Sequence, residues 1–407
     1  MSKDKTYVGF GFGAIQSGLL VYEAFRTGNF KRLVVAEVVP QVVEAVRRNG
    51  GKYVLNVATG SGVVRHEISC VEIFNPTIDG DREKLADAIA EACEIGTALP
   101  SVKFYGTGKR GEVVDILVEG LKRKAQRHGP RAVVYTAENH NHAAEILEET
   151  AGKIDRDGAG KDHVQYLNTV IGKMSGVVVG REEIEKQGLA EYVPGAERAF
   201  LVEEFNRILI TRIGLRDFVR GISVFEEKDD LLAFEEAKLY GHNAVHSLIG
   251  YLLQVEDKLF ISDAAGDPNL MQFAREAFVE ESGVALCRKY SGLDPLFTRN
   301  GFAAYADDLL KRMVNPWLKD TVERITRDPR RKLGWDDRLV GTIRLVWGQG
   351  IEPVRFAVGA AAALSSLEKT ENRSSSQILD EVWKEGSGSE GEKKEIRELI
   401  VKAKAKL

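Results

Sequence analysis

A glycine-rich turn near the start of the chain most strongly limits what this sequence can fold into. Residues 6–10 (TYVGF) have the pattern of a short buried strand, which runs through Gly11, Gly13 and Gly18 into the helical pattern LLVYEAF. A strand, a glycine turn and a helix in that order are typical of a dinucleotide-binding fold. Gly11 is predicted to make the tight turn. Gly13 is predicted to let the backbone approach a pyrophosphate at the helix N-terminus, where free N–H groups favour an anion.

The segment from Gly11 to Gln16 is the predicted contact surface for a dinucleotide, with Gly13, Ala14 and Ile15 between them. Gln16 occupies the place of the third glycine of the usual pattern, whose role is close packing of the helix on the sheet. We expect Gly18, two residues further on, to take over that packing role.

An acidic residue follows the glycine turn at the distance expected for a dinucleotide-binding fold. Residues 32–38 (RLVVAEV) form a second buried strand pattern, and Glu37 lies at its end. An acid at this spacing from the glycines binds the hydroxyl groups of the adenosine ribose. Because a carboxylate repels a 2′-phosphate, the sequence predicts NAD rather than NADP as the cofactor.

Strand and helix patterns continue to alternate along the first half. Strands are predicted at residues 52–57, 66–74, 94–99 and 131–136, and helices at 81–93 and 111–124. This alternation predicts an α/β fold with a Rossmann-type, doubly wound parallel sheet. Ligands of such sheets bind beyond the carboxyl ends of the strands. The further cofactor contacts predicted at these ends are Thr97, Ala98, Leu99, Glu138 and Asn139.

Two histidines, His140 and His142, are candidate metal ligands. Residues at i and i+2 do not share a helix face, and no cysteine or third histidine lies nearby. The pattern favours helix capping instead, by Asn139 or Asn141 before the run AAEILEE. No metal is therefore expected.

The second half of the chain is mainly helical in pattern from about residue 227 onward. We predict a dinucleotide-binding domain over residues 1–200 and a mainly helical substrate and catalytic domain over 201–385. Residues 386–407 are predicted to be a flexible linker, GSGSEGE, followed by a peripheral charged helix.

One helical stretch in this half concentrates reactive side chains. Lys238, Asn243 and His246 would lie at about 0°, 140° and 80° around an ideal helix, with an axial span of about 12 Å. All three thus fall on one half of the helix surface, although a straight helix makes a common contact point tight. The alternative is a solvated lysine beside an ordinary helix face.

A basic cluster lies further along. It consists of Arg324, Arg327, Arg330, Arg331, Lys332 and Arg338. The cluster fits either a solvated helix end or a site for an anion, since arginine binds phosphate and carboxylate with paired hydrogen bonds.

Charge and cysteine content narrow the class of protein. The 407 residues include 57 Lys and Arg against 61 Asp and Glu, so nothing points to nucleic acid or an anionic membrane surface as a partner. The three cysteines form no pair motif, which is typical of a reducing, cytoplasmic setting. No apolar run reaches membrane-spanning length and no signal peptide is recognised at the N-terminus.

Taken together, these features resemble the polyol-specific long-chain dehydrogenase/reductase family, most of all its branch for sugar-alcohol phosphates. The motifs that carry the resemblance are the glycine turn with Glu37, the Lys238–Asn243–His246 spacing, the stretch LNTV at 167–170, ESG at 281–283, NPWLKD at 315–320 and DPRRKL at 328–333. The sequence departs from the family at Gln16 and at Gly172-Lys173, where the family has Asp-Arg.

The resemblance implies metal-independent hydride transfer between NAD and a polyol or polyol phosphate. Lys238 would be the general base, Asn243 and His246 would hold the reacting oxygen, and Asn168 would orient substrate hydroxyls. Arg331 and Lys332 are the candidates for a substrate phosphate. The alternatives are a non-phosphorylated polyol or a sugar acid as substrate (the mannitol 2-dehydrogenase and tagaturonate reductase branches), or an NAD-binding sensor without turnover. A monomer or small homo-oligomer is expected.

Overall fold

The computed structural model of the chain describes residues 4–158, 160–205 and 207–407. It divides into two compact units, Met1–Leu231 and Leu232–Leu407. The boundary therefore lies later than the predicted one at residue 200, because strands up to residue 228 belong to the first unit.

The first unit contains all twelve named strands. They are β1 (Lys5–Phe10), β2 (Phe30–Ala36), β3 (Tyr53–Ala58), β4 (Val63–Ile68), β5 (Val71–Phe74), β6 (Glu94–Thr97), β7 (Ala132–Thr136), β8 (Val164–Ile171), β9 (Ser175–Val179), β10 (Arg198–Glu203), β11 (Ile208–Thr211) and β12 (Phe225–Lys228). Its helices are α1 (Val21–Thr27), α2 (Pro40–Arg48), α3 (Asp79–Glu91), α4 (Val113–Gln126), α5 (Ala143–Ile154) and α6 (Arg181–Lys186).

The main sheet has eight strands in the order β12-β11-β8-β7-β6-β1-β2-β5. From β5 to β8 all neighbours are parallel, and β11 joins β8 antiparallel. The six parallel strands thus have the doubly wound order of a Rossmann fold, with the reversal of strand order next to β1. Buried side chains cover both faces of this sheet, as expected where helices pack on each side. The predicted fold class is confirmed.

A second, four-stranded sheet was not anticipated. It has the order β4-β3-β10-β9, with only β3 and β10 parallel. The sequence run 66–74, predicted as one strand, is divided between the two sheets because the chain turns at Cys70, whose φ is +61°. Strand β4 therefore pairs with β3, while β5 extends the main sheet.

The second unit is helical. Its helices are α7 (Leu232–Glu236), α8 (Ala244–Val255), α9 (Pro268–Glu276), α10 (Val284–Lys289), α11 (Arg299–Met313), α12 (Val322–Thr326), α13 (Pro329–Lys332), α14 (Val340–Gly348), α15 (Val354–Glu371), α16 (Ser375–Val382) and α17 (Glu390–Ala403). Two π-helical segments, Ala237–Asn243 and Ala277–Gly283, join α7 to α8 and α9 to α10.

Helix α15 forms the centre of this unit. Its Ala-rich segment is buried almost throughout, and Glu281 accepts hydrogen bonds from the backbone N–H groups of Arg355 (2.8 Å) and Phe356 (3.2 Å). A buried carboxylate from another segment thus satisfies the free N–H groups at the helix start. Among the described residues, no helix is both long and apolar enough to span a membrane.

The C-terminal segment is an integral part of the second unit, so its description as a flexible linker with a peripheral helix is wrong. Ile396 and Ile400 in α17 are fully buried. Gly386 and Gly388 lie directly against the Trp335 indole, where an added Cβ at Gly386 would come within 2.6 Å of the ring. The glycines are there for close packing rather than for flexibility.

We expect Gly388→Ala to destabilise the protein by about 1–3 kcal/mol, because the new methyl group would overlap the Trp335 ring. Gly391→Ala is the matched control: it lies in α17 and its Cβ would meet only the Ser389 hydroxyl oxygen, at 3.9 Å. Urea denaturation of both variants measures the difference. Equal stability of the two would show that residues 386–388 are not packed against Trp335.

Candidate active site

The glycine turn forms one end of a cleft in the first unit. Gly11 has a φ of +87° and its N–H donates to the Ala36 carbonyl oxygen (2.8 Å), so the turn is closed as predicted. A Cβ on Gly11 would lie 3.0 Å from the Ala98 carbonyl oxygen, whereas a Cβ on Gly13 would meet no atom within 4 Å. The backbone at Gly13 is therefore open to a ligand at the start of the following helical segment.

Gln16 does not present its side chain to this cleft. It is fully buried, and its Nε2 donates to the Tyr7 hydroxyl oxygen (2.7 Å). A Cβ on Gly18 would lie 2.6 Å from Val202 and 3.2 Å from Leu55, so Gly18 allows close packing, but against β10 and β3 of the second sheet. The predicted contact of Gln16 with a cofactor is thus limited to its backbone, because the side chain fills the core.

Glu37 is held in a fixed position at the end of β2. Its two carboxylate oxygens accept hydrogen bonds from the backbone N–H groups of Phe12 and Val39, both at 2.9 Å. The carboxylate lines the same cleft as Gly11 and Gly13, so the ribose-binding position predicted from the spacing is available.

The cleft has a volume of about 790 Å³ and lies at the carboxyl ends of β1, β2 and β6. Of the predicted cofactor residues, Gly11, Gly13, Ala14, Ile15, Glu37, Ala98 and Leu99 line it. Gln16, Thr97, Glu138 and Asn139 do not belong to its lining.

Glu138 and Thr97 have a different function in the fold. Glu138 is buried and accepts hydrogen bonds from the hydroxyl groups of Thr97 (2.9 Å) and Tyr105 (2.5 Å) and from the Leu99 N–H (2.9 Å). Burial raises the pKa of this carboxyl group, and these hydrogen bonds lower it again in part. Glu138 therefore fixes the strand end that forms the cleft wall, and its charge faces the protein.

Asn168, the predicted substrate residue, caps a helix. Its Oδ1 accepts from the Ala144 N–H (2.9 Å), and its Nδ2 donates to both carboxylate oxygens of Glu145 (3.0 and 2.8 Å). His142 at the N-cap position of α5 provides no side-chain hydrogen bond. The cap predicted from Asn139 or Asn141 thus comes from β8 instead, since β8 lies beside β7 and brings Asn168 to the helix start.

In the second unit, the Lys238 stretch is not an ideal α-helix. Residues Ala237–Asn243 form a π-helix, whose wider turns hold about one residue more. Because of this extra residue, the side chains that follow it are rotated around the helix axis by about −100° relative to their positions in an ideal α-helix. By this idealised geometry Asn243 and His246 would lie about 40° and −20° from Lys238, so that all three would fall within a sector of about 60°. The π-helix thus eases the angular part of the fit, while Lys238 and His246 stay separated along the helix axis.

Close packing accompanies the π-helix. A Cβ on Gly241 would lie 2.7 Å from the ring of Phe278, which belongs to the second π-helix, Ala277–Gly283. Only a glycine at this position allows the two segments to approach so closely.

The Lys238 amine lies in positively charged surroundings. Burial lowers its pKa from 10.5 to about 8, with the Arg338 charge acting in the same direction and Glu235 in the opposite one. Burial also lowers the pKa of His242 well below 6.5, assisted by the charges of His246, Arg312, Lys238 and Arg338. Lysine, histidine and arginine side chains of this unit are therefore close enough to act on one another.

A buried acid, Asp320, lies beside His246. Its Nε2 lies 3.2 Å from Oδ2 of Asp320, and Arg324 pairs with the same carboxylate at 2.6 Å. Burial alone would raise the pKa of Asp320, but His246 and Arg324 outweigh it and hold this pKa at about 2. Asp320 is therefore ionised near neutral pH, and its negative charge lies beside Nε2 of the imidazole.

The two residues predicted to bind a substrate phosphate, Arg331 and Lys332, have partners within the protein. Lys332 is buried and its Nζ donates to the Arg327 carbonyl oxygen. Arg331 pairs with Asp328 (3.1 Å) and lines an open cavity of about 560 Å³ whose lining does not include Lys238. Asp336, Asp337 and Glu381 line that cavity together with Arg330 and Arg331, so its charges are mixed.

Sequence reasoning missed His242 and Arg312 altogether, and it named Arg338 and Asp320 without connecting them to Lys238 or His246. His242 could have been found, because it lies four residues from both Lys238 and His246. The others are distant in sequence and no local pattern connects them to Lys238.

The chain is similar to known proteins along most of its length. Residues 230–405 match the family model of the mannitol dehydrogenase C-terminal domain. A mannitol-1-phosphate 5-dehydrogenase of Caldanaerobacter subterraneus subsp. tengcongensis is 26% identical over 358 residues, covering 87% of this chain and 84% of the relative. One from an Exiguobacterium species is 29% identical over 294 residues, covering 72% and 69%.

Solved structures show the same fold. A mannitol 2-dehydrogenase of Pseudomonas fluorescens in ternary complex with NAD and D-mannitol aligns with a TM-score of 0.70 at 14% identity, over 100% of this chain and 92% of that one. A D-sorbitol dehydrogenase in substrate-free form aligns with a TM-score of 0.74 at 15% identity, over 99% and 93%. Residues 230–405 of this chain are thus similar to the mannitol dehydrogenase C-terminal domain, and the chain along most of its length is similar to mannitol-1-phosphate 5-dehydrogenases.

Proposed function

We propose that this protein is an NAD-dependent oxidoreductase that interconverts a sugar-alcohol phosphate and a keto-sugar phosphate without a metal ion. The proposal is supported by the Lys238 amine, whose pKa burial lowers to about 8, and by the π-helix that contains Lys238 and Asn243 and leads into His246. A lysine of ordinary pKa near 10.4 is too rarely neutral at pH 7 to accept a proton, whereas one near 8 is neutral about a tenth of the time.

The chemistry requires such a base. Oxidation of a secondary alcohol removes the hydroxyl proton while hydride leaves the carbon, and Lys238 Nζ is the group that accepts the proton. Asn243 and His246 stabilise the developing negative charge on the same oxygen by hydrogen bonds. In the reverse direction, the protonated lysine returns the proton to the oxygen of the ketone. Among the described residues, no group of three or more His, Cys, Asp or Glu could hold a metal ion.

The first unit has the features that a dinucleotide needs. The open backbone at Gly13 lies at the start of a helical segment and suits the pyrophosphate, and Glu37 suits the ribose hydroxyls. When bound, NAD supplies the hydride acceptor. The residues of this chain bind and orient it, and the fixed carboxylate of Glu37 disfavours a 2′-phosphate.

Positive charge near Lys238 supports a negatively charged substrate. Arg312 and Arg338 both act electrostatically on His242, and Arg338 acts on Lys238 as well. Each has an acidic neighbour, Asp308 at 3.2 Å and Asp337 at 2.8 Å, so their charges are partly balanced. We therefore assign the substrate phosphate to Arg312 and Arg338, because both charges act on His242 and that of Arg338 also acts on Lys238, whereas the cavity lined by Arg331 does not include Lys238.

The second candidate is oxidation of a sugar acid or an uncharged polyol. Arginine binds carboxylate and phosphate with the same geometry, so the two arginines fit a sugar acid equally well. An uncharged polyol would leave both without a ligand charge to bind.

A panel of oxidants separates these substrates. NADH oxidation is followed by absorbance with fructose 6-phosphate, fructose and tagaturonate, each over a range of concentrations. We expect kcat/KM for fructose 6-phosphate to exceed that for the other two by about 100-fold or more, because an arginine–phosphate contact is a strong charge-assisted interaction. Preference for tagaturonate or fructose would support the second candidate. NADH binding without turnover of any of the three would favour a sensor.

A further inference from the structure

The unexpected four-stranded sheet lies directly beside the glycine turn. The Phe12 side chain, between Gly11 and Gly13, packs edge-on against Tyr53, Tyr192 and Phe200, with ring centroids 5.2, 6.0 and 5.7 Å away. Aromatic contacts of this kind fix both partners. The turn is therefore anchored to the second sheet as well as to the first.

This second sheet provides a wall of the dinucleotide cleft. Residues Ser175, Gly176 and Val177 of β9, and Arg198 and Phe200 of β10, line the same cavity of about 790 Å³ as the glycine turn and Glu37. The cleft is thus enclosed between the main sheet, which has the expected binding elements, and a sheet with no role assigned to it so far.

Arg198 and Glu37 face this cleft from the two walls. Both act on the Tyr192 hydroxyl: burial raises its pKa, Arg198 lowers it and Glu37 raises it further. Glu37 is fixed by the Phe12 and Val39 N–H groups, whereas Arg198 is exposed and its guanidinium has no ion-pair partner within the described parts of the chain. The two charges are close to one ring, yet they form no direct salt bridge.

The other charged groups of the cleft are Lys103 and Glu112. Glu112 accepts hydrogen bonds from the N–H groups of Thr107, Gly108 and Lys109 and is therefore committed to its own loop. Lys103 lies on the segment after β6, which is a strand of the main sheet. Arg198 is thus the cation that the second sheet contributes.

We propose that Arg198 is a cofactor-binding residue that acts together with Glu37 at the adenosine ribose and sets the choice between a 2′-hydroxyl and a 2′-phosphate. This inference rests on the proposed function, since it assumes that the cleft holds a dinucleotide. Glu37 repels a 2′-phosphate and binds hydroxyl groups, while a guanidinium binds hydroxyl oxygens and attracts a phosphate. Arg198 therefore contributes to NAD binding, and Glu37 is the group that prevents it from accepting NADP.

The test is the affinity for NADH and NADPH, measured by cofactor fluorescence without any substrate. The variants are Glu37→Ala, Arg198→Ala and the double variant, with Lys103→Ala as the second cation of the cleft and Arg181→Ala as an exposed arginine outside it. We expect Arg198→Ala to weaken NADH binding about 3- to 10-fold. Glu37→Ala should strengthen NADPH binding at least tenfold, because it removes the repulsion and frees the Phe12 and Val39 N–H groups.

The decisive comparison is the double variant. If Arg198 binds the 2′-phosphate, adding Arg198→Ala to Glu37→Ala removes most of the gain in NADPH affinity, while Lys103→Ala and Arg181→Ala do not. A double variant that binds NADPH as tightly as Glu37→Ala would overturn the role of Arg198 and leave the proposed function intact. Absence of binding of either cofactor to the unmodified protein would overturn both.

Discussion

Lys238→Ala is expected to reduce kcat for polyol oxidation by about 10³-fold while NADH affinity stays within about twofold. The reason is that the variant loses the only base assigned to the hydroxyl proton, and general base catalysis typically contributes 10²- to 10⁴-fold. Lys238→Arg is expected to be similarly inactive, because a guanidinium stays protonated at any pH at which the enzyme is folded. Stopped-flow or steady-state absorbance of NADH measures both variants.

The pH dependence provides an independent check. Because the neutral amine is the base, the rate of alcohol oxidation should rise with pH and level off above the lysine pKa of about 8. Ketone reduction uses the protonated amine, so its rate should fall above the same pH. Lys258→Ala, at an exposed lysine of the same unit, is the control and should keep both profiles. Near-normal turnover by Lys238→Ala would remove the catalytic assignment.

Asp320→Asn is expected to lower kcat about 100-fold and to destabilise the protein. The buried carboxylate lies 3.2 Å from His246 Nε2, so its loss removes the negative charge beside the imidazole that we propose binds the reacting oxygen. A shape-conserving substitution of an acid that orients a catalytic histidine can cost as much as 10⁴-fold, which makes 100-fold a moderate expectation. Asp320 itself touches no substrate in this scheme and is a positioning residue.

The loss of folding stability expected for Asp320→Asn has a defined sign and pH range. A pKa of about 2 in the folded protein against about 3.9 in the unfolded chain corresponds to about 2.6 kcal/mol. This contribution is present above pH 4 and is lost as the pH falls through 2, so the wild type and Asp320→Asn should converge in acid. Asp307→Asn, whose partner Arg275 is exposed, is the control. Loss of stability with unchanged kcat would make Asp320 purely structural.

Much of the fold could be predicted because its signals are local. The glycine turn, the buried strand patterns and Glu37 lie within about 30 residues of each other, and each follows from backbone freedom, burial or spacing. The second sheet could not be predicted in this way. Strands β3 and β10 are more than 140 residues apart, and the division of residues 66–74 depends on a single positive φ at Cys70.

The candidate site shows the same difference between local sequence signals and contacts made by distant residues. The sequence by itself determined the residue types at Lys238, Asn243 and His246 and their spacing, since these are fixed by the order of the chain. Only the tertiary structure decided whether they project together. The π-helix changes the angles between the three residues, and its packing at Gly241 against Phe278 involves a partner that is remote in sequence.

The charged residues show most clearly the difference between what the sequence determines and what the folded structure determines. Lys332 and Arg331 are adjacent in a basic cluster and looked like an anion site, but a carbonyl oxygen and an aspartate occupy them in the folded chain. Arg338, six residues on, acts on Lys238 across a hundred residues of sequence. A sequence determines which charges are available, but their pKa values and partners depend on burial and distance, which exist only once the chain has folded.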